Sequence, residues 1–434
     1  MSIHPLKLLA ILYAFLMGCQ YASAQNRPKL TAPQVPCNGT ADAVAGIYTD
    51  HTQTKYPLTI KGTAAEKAMI MKNMIAIEKL EESSRSGFKL TGCAARVSFA
   101  RFGTSEYGKI KAVRYGYQLG VYKYACHVTE HVPKIVDEYR TVFRVDINPY
   151  IFKGAKAGGT GDFSVTGNLS YEIPIEARNG PDFDQESKNR PSKVSQYITE
   201  ATMLTNRSND YRNKHAEFLK IINGEGYTEN WMSGDRYDQR RPDSYKWIDR
   251  HYMITRPGVP LLVPVSRKQY LEDMLEYLEI EKFNFDYSHA AKLKDIANEN
   301  ADWAKKQRAV LEADKLAYPN IYEAKKAKLQ ALLATQKADW LQKPAVVDNN
   351  NKTYNAGKRL ESLGKFYDAE DEYMSALYIL NPAYFNSGNA PLTKPIFMEV
   401  QFRYELGNDV GFSTRIFQNF LENFDMAALR KMLE

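Results

Sequence analysis

Side chains alternate at every second residue over 115–121 and again over 139–147, and apolar ones recur at helical spacing after Ser266; this change of period constrains the fold more than any other feature. Tyr115, Tyr117, Leu119 and Val121 would share one face of a strand over 113–132. Tyr139, Thr141, Phe143, Val145 and Ile147 alternate in the next strand, and residues 88–100 form the strand before. These three follow a helix predicted over 64–85. Thr63 and Glu66 make its capping box, Ile70, Met71, Met74 and Ile77 its apolar face, and Gly87 its stop. A helix followed by an antiparallel meander reads as α+β, with the helix packed across a sheet. The order then repeats, with a strand at 163–175, a helix over 209–223 and strands at 245–255 and 261–265.

From Ser266 the pattern is helical. Ser266 and Gln269 form a second capping box, and Leu271, Leu275 and Leu278 continue one face. Leu293, Ile296, Trp303, Val310 and Leu311 keep coiled-coil-like spacing to Leu316, and Pro319 suits the first turn of a second long helix. The link through Tyr318 makes the pair an antiparallel hairpin. After a polar break at 348–352 come Tyr354, Gly357, Leu360, Gly364, Phe366, Ala369, Tyr373, Ala376, Leu377 and Pro382. Their spacing resembles a single tetratricopeptide repeat, in which small residues let two helices approach and aromatic ones fill the gap. The resemblance implies an αα unit whose surface binds a protein partner, with 399–406 and 413–424 as a second, degenerate helix pair. The expected fold is therefore α+β: an N-terminal helix plus antiparallel sheet regions, then an all-helical C-terminal part. The expected division is 1–24 signal peptide, 25–62 tether, 63–178 α+β domain, 179–265 second helix-and-strand region, 266–345 helical hairpin and 346–434 repeat-like region.

The first 25 residues read as an export signal. Lys7 supplies the positive end, residues 8–17 the apolar run, and Ala22-Ser23-Ala24 the cut before Gln25. Within it, Leu16-Met17-Gly18-Cys19 resembles the lipobox of bacterial lipoproteins, which implies a lipidated Cys19 in place of release. The expected location is periplasmic or secreted, or lipid-anchored to the envelope. Beyond the signal no apolar run is long enough to span a bilayer. The net charge of +7 is spread without a basic block, which argues against a nucleic-acid partner. Cys37, Cys93 and Cys126 follow the signal, too few for a disulfide scaffold. Export permits one bridge. Cys93 and Cys126 are the expected pair, provided the turn between their strands centres near Lys109-Ile110.

Two segments carry candidate chemistry. His127-Val128-Thr129-Glu130-His131 has the spacing of the inverted zinc metallopeptidases. On a helix His127 and His131 would hold zinc and Glu130 would serve as general base, whereas the surrounding Tyr, Val and Thr favour a strand. The 224–244 connection gathers Trp231, Arg236, Tyr237, Arg240 and Arg241, which could grip a glycan or an anion by stacking and forked hydrogen bonds; the structural alternative is Trp231 as a core plug. Nucleophile elbow, Cys-x-x-Cys, EF-hand and dinucleotide motifs are absent. The expected function is a non-catalytic binding or assembly protein of the cell envelope that needs no cofactor. A zinc-dependent hydrolase is the alternative, and a glycan-binding module comes third.

Overall fold

The computed structural model describes residues 30–50, 62–107, 110–150, 193, 197–198, 215–233, 245–348, 360, 363–368, 374–386, 391–407 and 411–434. The expected signal, Cys19 and the 163–175 strand lie outside the described residues. So do Tyr354, Gly357, Ala369 and Tyr373 of the repeat-like segment.

The described strands are β1 (Ile47–Asp50), β2 (Cys93–Tyr107), β3 (Ile110–Cys126), β4 (Pro133–Ile147), β5 (Thr228–Ser233), β6 (Tyr245–Ile254), β7 (Leu262–Pro264), β8 (Val346–Asp348), β9 (Met374–Ala376), β10 (Tyr378–Leu380) and β11 (Met398–Gly407). The helices are α1 (Ala64–Ser84), α2 (His215–Ile222), α3 (Arg267–Asp295), α4 (Asp302–Thr335), α5 (Ala338–Gln342), α6 (Gly411–Asn423) and α7 (Met426–Lys431). Seven of the described strands form one sheet in the order β1-β2-β3-β4-β11-β6-β5. It is mixed, because β1 runs parallel to β2 while the other neighbours are antiparallel.

One face of the sheet carries the main core. Tyr115, Tyr117, Leu119, Val145, Val400 and Phe402 pack there against Ile70, Met74 and Ile77 of α1 and Phe412, Phe417 and Phe420 of α6. The capping box of Thr63 and Glu66 starts α1 as expected. The tyrosines of β3 suit this face because α1 supplies partners for their hydroxyls. Asn73 Nδ2 donates to Tyr115 Oη at 2.6 Å, and Tyr117 Oη donates to Glu81 at 2.8 Å. A second core lies under the α3–α4 hairpin, around Leu271, Met274, Leu278 and Leu329. Phe285 stacks there on Tyr318, with ring centroids 3.7 Å apart. The buried Lys325 Nζ meets Glu281 Oε1 at 2.5 Å.

The expected all-helical C-terminal part is not what the chain builds. Residues 374–376 and 378–380 form β9 and β10 in place of the second helix of an αα unit. Expected as half of a helix pair, 399–406 is instead most of β11, which sits inside the sheet between β4 and β6. The reason is period two: Met398, Val400, Phe402 and Tyr404 are buried on the helix side, while Glu399, Gln401 and Arg403 lie opposite. Gly364 at φ +68° fills a turn; a Cβ there would come within 2.5 Å of Leu332. The helical hairpin exists, but its link is the polar 296–301 turn, and Pro319 lies inside α4. A mid-helix proline costs about 3 kcal/mol, here offset by the burial of Tyr318 and Tyr322 on either side. Of the residues with coiled-coil-like spacing, Ile296 and Leu311 are buried, while Trp303, Val310 and Leu316 are exposed.

The disulfide joins Cys37 to Cys126, and not Cys93 to Cys126. Tyr107 pairs with Ile110, out of the register that a Cys93–Cys126 pair needs, and the register shifts again between Ala100 and Gly103. Cys93 consequently faces Lys123, three positions short of Cys126. Its thiol is buried, and burial pushes its pKa up to about 12.

Cys37→Ser is expected to lower unfolding stability by about 4–5 kcal/mol in urea titrations, since the bridge closes an 89-residue loop. Peptide mapping without reductant should return Cys37 linked to Cys126; a linked Cys93 would contradict the register. The tyrosines give a pH signature. Burial raises the phenol pKa of Tyr115, Tyr117, Tyr197 and Tyr270, and that of Tyr124 to about 12. Folded values above unfolded ones mean stability present below about pH 10 and lost as pH rises through the folded range. Absorbance titration at alkaline pH should show only part of the 29 tyrosines ionising before unfolding. Reversible ionisation of all of them near pH 10 would refute the buried packing.

Candidate functional site

The three residues of the zinc-like motif form the turn between β3 and β4, neither helix nor strand. The His127 N–H donates to Val132 O and the His131 N–H to His127 O, each at 2.9 Å, and His131 takes φ +51°. His127 Nδ1 accepts from the Glu130 N–H at 3.2 Å, and Glu130 pairs with Lys134 at 2.6 Å. That hydrogen bond and charge hold the Glu130 carboxyl below its ordinary pKa. The turn is pinned from outside, because the Cys37 N–H donates to His131 O at 2.7 Å beside the disulfide. Among the described residues no group of three or more His, Cys, Asp or Glu is placed to hold a metal.

In the 224–244 connection, Trp231 belongs to β5 with its backbone opposite Ile248. Arg236, Tyr237, Arg240 and Arg241 lie outside the described residues. The arginine–aromatic contact that is seen here involves Tyr227. The Arg250 guanidinium lies 4.0 Å over its ring and pairs with Glu229 at 2.6 Å.

The face of the sheet opposite the main core carries a polar row that the sequence reading missed. Arg144 donates to Gln118 at 2.7 Å and to Gln401 at 3.3 Å; Gln401 donates to Asp249 at 3.2 Å. Arg403 grips the same carboxylate with two hydrogen bonds, at 2.9 and 2.8 Å. Beside them His251 Nδ1 is hydrogen-bonded to Glu399. The alternation of polar residues in β4, β6 and β11 is the signal that would have found this row. A histidine oriented by a carboxylate is the makings of a general base. Here His251 is 3% exposed and its register partner Thr228 1%, so both are shut off from a substrate in solution. The row ties together β3, β4, β11 and β6.

Two cavities differ sharply in character. A cleft between α1 and α6 is lined by Phe143, Phe402, Phe420 and Phe424 around Glu81 and Arg85. Burial raises the Glu81 pKa, against the pull of the Arg85 guanidinium and the Tyr117 hydroxyl. At about 20 Å³ this cleft has room for roughly one water. The second cavity, about 170 Å³, lies beyond the end of β6 and is lined by Arg256, Lys394, Lys111, Tyr384, Asn386 and Leu392, among others. Among the described residues no carboxylate side chain lines it.

Its residues are held firmly. The Arg256 N–H donates to Tyr384 Oη at 3.1 Å, and Tyr384 Oη donates to Ile396 O at 2.8 Å. The Arg256 guanidinium lies 4.2 Å over the Tyr384 ring and donates through Nη2 to the Tyr384 carbonyl. The loop bearing Lys394 is fixed by Asn148, whose Nδ2 donates to Lys394 O at 3.1 Å and whose Oδ1 accepts from the Ile396 N–H at 2.8 Å. The Val113 N–H donates to Leu392 O at 2.8 Å, which docks the loop on β3. In sequence, Arg256 and Lys394 are far apart and marked only by a following proline, Pro257 and Pro395.

No protein-family model matches this chain, and neither a curated protein nor a solved structure is significantly similar to it.

Asp249→Ala should cost about 2–3 kcal/mol in denaturant unfolding, because it strands Arg403 and one donor of Gln401 inside the polar row. Arg403 is partly exposed, which keeps the loss below that of a fully buried pair. A loss under about 0.5 kcal/mol would show that the row does not hold the strands together.

Proposed function

We propose that this chain is an exported, non-catalytic binding protein of the cell envelope, and that the cavity at Arg256 and Lys394 seats its ligand. The cavity is the observation that carries the reading: basic and aromatic side chains converge there on a scaffold braced by hydrogen bonds. Such a site is built to hold a group in place. Its arginine, lysine and asparagine donors orient and neutralise a bound group.

Export is supported by the signal-like first 25 residues and by a disulfide that closes a long loop, a bond at home in an oxidising compartment. No described helix is long and apolar enough to cross a membrane. Attachment to the envelope would therefore run through a lipidated Cys19, and cleavage before Gln25 would give release.

Thermal-shift measurements on the purified protein with fractionated small molecules from an envelope extract test the reading. A bound ligand at a hundred times its Kd stabilises the fold by about 2.7 kcal/mol. At least one fraction should raise Tm in the wild type and fail to do so in Lys394→Glu. No active fraction, or an equal rise in the variant, would overturn the proposal.

A further inference from the structure

The cavity at Arg256 and Lys394 also indicates the charge its occupant must carry. Resting on the binding reading above, we infer that the seated group is a phosphate monoester on a small stem.

The basic groups share a wall with no carboxylate side chain among its described residues. The nearest acid in sequence to a lining residue of the C-terminal segment is Glu434, next to Leu433, and its side chain is not part of the wall. Arg403 and Arg250 are answered by carboxylates, Asp249 and Glu229. Among the described residues the Arg256 guanidinium is answered by a carbonyl and a ring face, and its buried Nε–H has no hydrogen-bond partner. Lys394 forms no ion pair among the described residues, and its backbone is fixed on both sides. Lys111 adds a third positive charge, in register with Glu106 across the hairpin. Arg256 and Lys394 line one wall that holds no carboxylate side chain among the described residues, and an incoming anion relieves the repulsion between them.

A phosphate answers this donor set better than a carboxylate does. It carries close to two charges at neutral pH and three terminal oxygens. Arginine offers it a fixed planar edge, lysine a point charge, and the Asn386 amide a neutral donor. The Tyr384 ring under the guanidinium keeps that edge from swinging away. Leu392, Ile110 and Ile396 form an apolar shoulder against which a short stem can lie. At about 170 Å³ the space far exceeds the roughly 10–15 Å³ that one water needs, yet it is small for a polymer. The same phosphate could come from a soluble metabolite or from a lipid headgroup.

Calorimetric titration of the full exported chain with glycerol 3-phosphate, and with acetate as the monoanion control, tests the inference. A parallel arm measures sedimentation with phosphatidylcholine vesicles containing phosphatidic acid. Glycerol 3-phosphate or the phosphatidic acid vesicles should bind at least tenfold more tightly than acetate or plain phosphatidylcholine vesicles. That binding should weaken as salt rises from 50 to 500 mM, and fall at least tenfold in Lys394→Glu. Arg256→Lys keeps the charge but loses the fork, and should fall between wild type and Lys394→Glu. Circular dichroism shows whether each variant is folded; the salt and acetate comparisons on wild type stand without the variants. No phosphate binding at millimolar concentration, or binding unchanged in folded Lys394→Glu, would overturn the inference. If an extract fraction still stabilises the wild type through Lys394, only the phosphate class falls, and the binding reading survives.

Discussion

The structure depends on one late strand. β11 pairs with β4 through Met398–Arg403 and with β6 through Met398–Gly407, so it joins the N-terminal hairpins to the middle of the chain. Without it the described strands would divide into two sheets, each with a long unpaired edge. It also brings both chemistries of the sheet together. Val400 and Phe402 complete the apolar face under α1 and α6, while Gln401 and Arg403 complete the polar row through Arg144 and Asp249. Because its partners lie up to about 260 residues earlier, the sheet is dominated by non-local contacts, and slow folding is the physical expectation.

The same strand shows what could be read in advance and what could not. The capped helix α1 and the alternating strands β2, β3 and β4 were legible, because local period and capping chemistry specify them without help from the rest of the chain. β11 alternates just as clearly from Met398 to Tyr404. Its pattern was overridden by the repeat-like spacing of small residues upstream, at Gly364 and Ala376, which serve a turn and a strand instead. The helix break was misplaced for a related reason. Proline is a strong local signal, but tertiary burial of Tyr318 and Tyr322 carries α4 through Pro319.

The site was less legible than the fold. Arg256 and Lys394 are ordinary loop cations in sequence, and only the docking of the 391–396 segment on β3 and Asn148 makes them neighbours of one cavity. Conversely, the metallopeptidase-like spacing of His127, Glu130 and His131 was conspicuous and is spent on a turn. Spacing along a chain implies a shared face only once the secondary structure is known, and the hairpin between β3 and β4 decides that here.

The position of Cys93 has a consequence for the order of events during maturation. Cys37, Cys93 and Cys126 allow three possible bridges among themselves, and an oxidising medium does not itself choose among them. Once β2 and β3 have zipped together, Cys93 is locked opposite Lys123 and sealed beneath the sheet. Cys126 is left at the rim, where only the arriving Cys37 can reach it. Hairpin formation therefore acts as the editor of the bond: a chain oxidised before it zips can be trapped with the wrong partner, and one oxidised afterwards cannot.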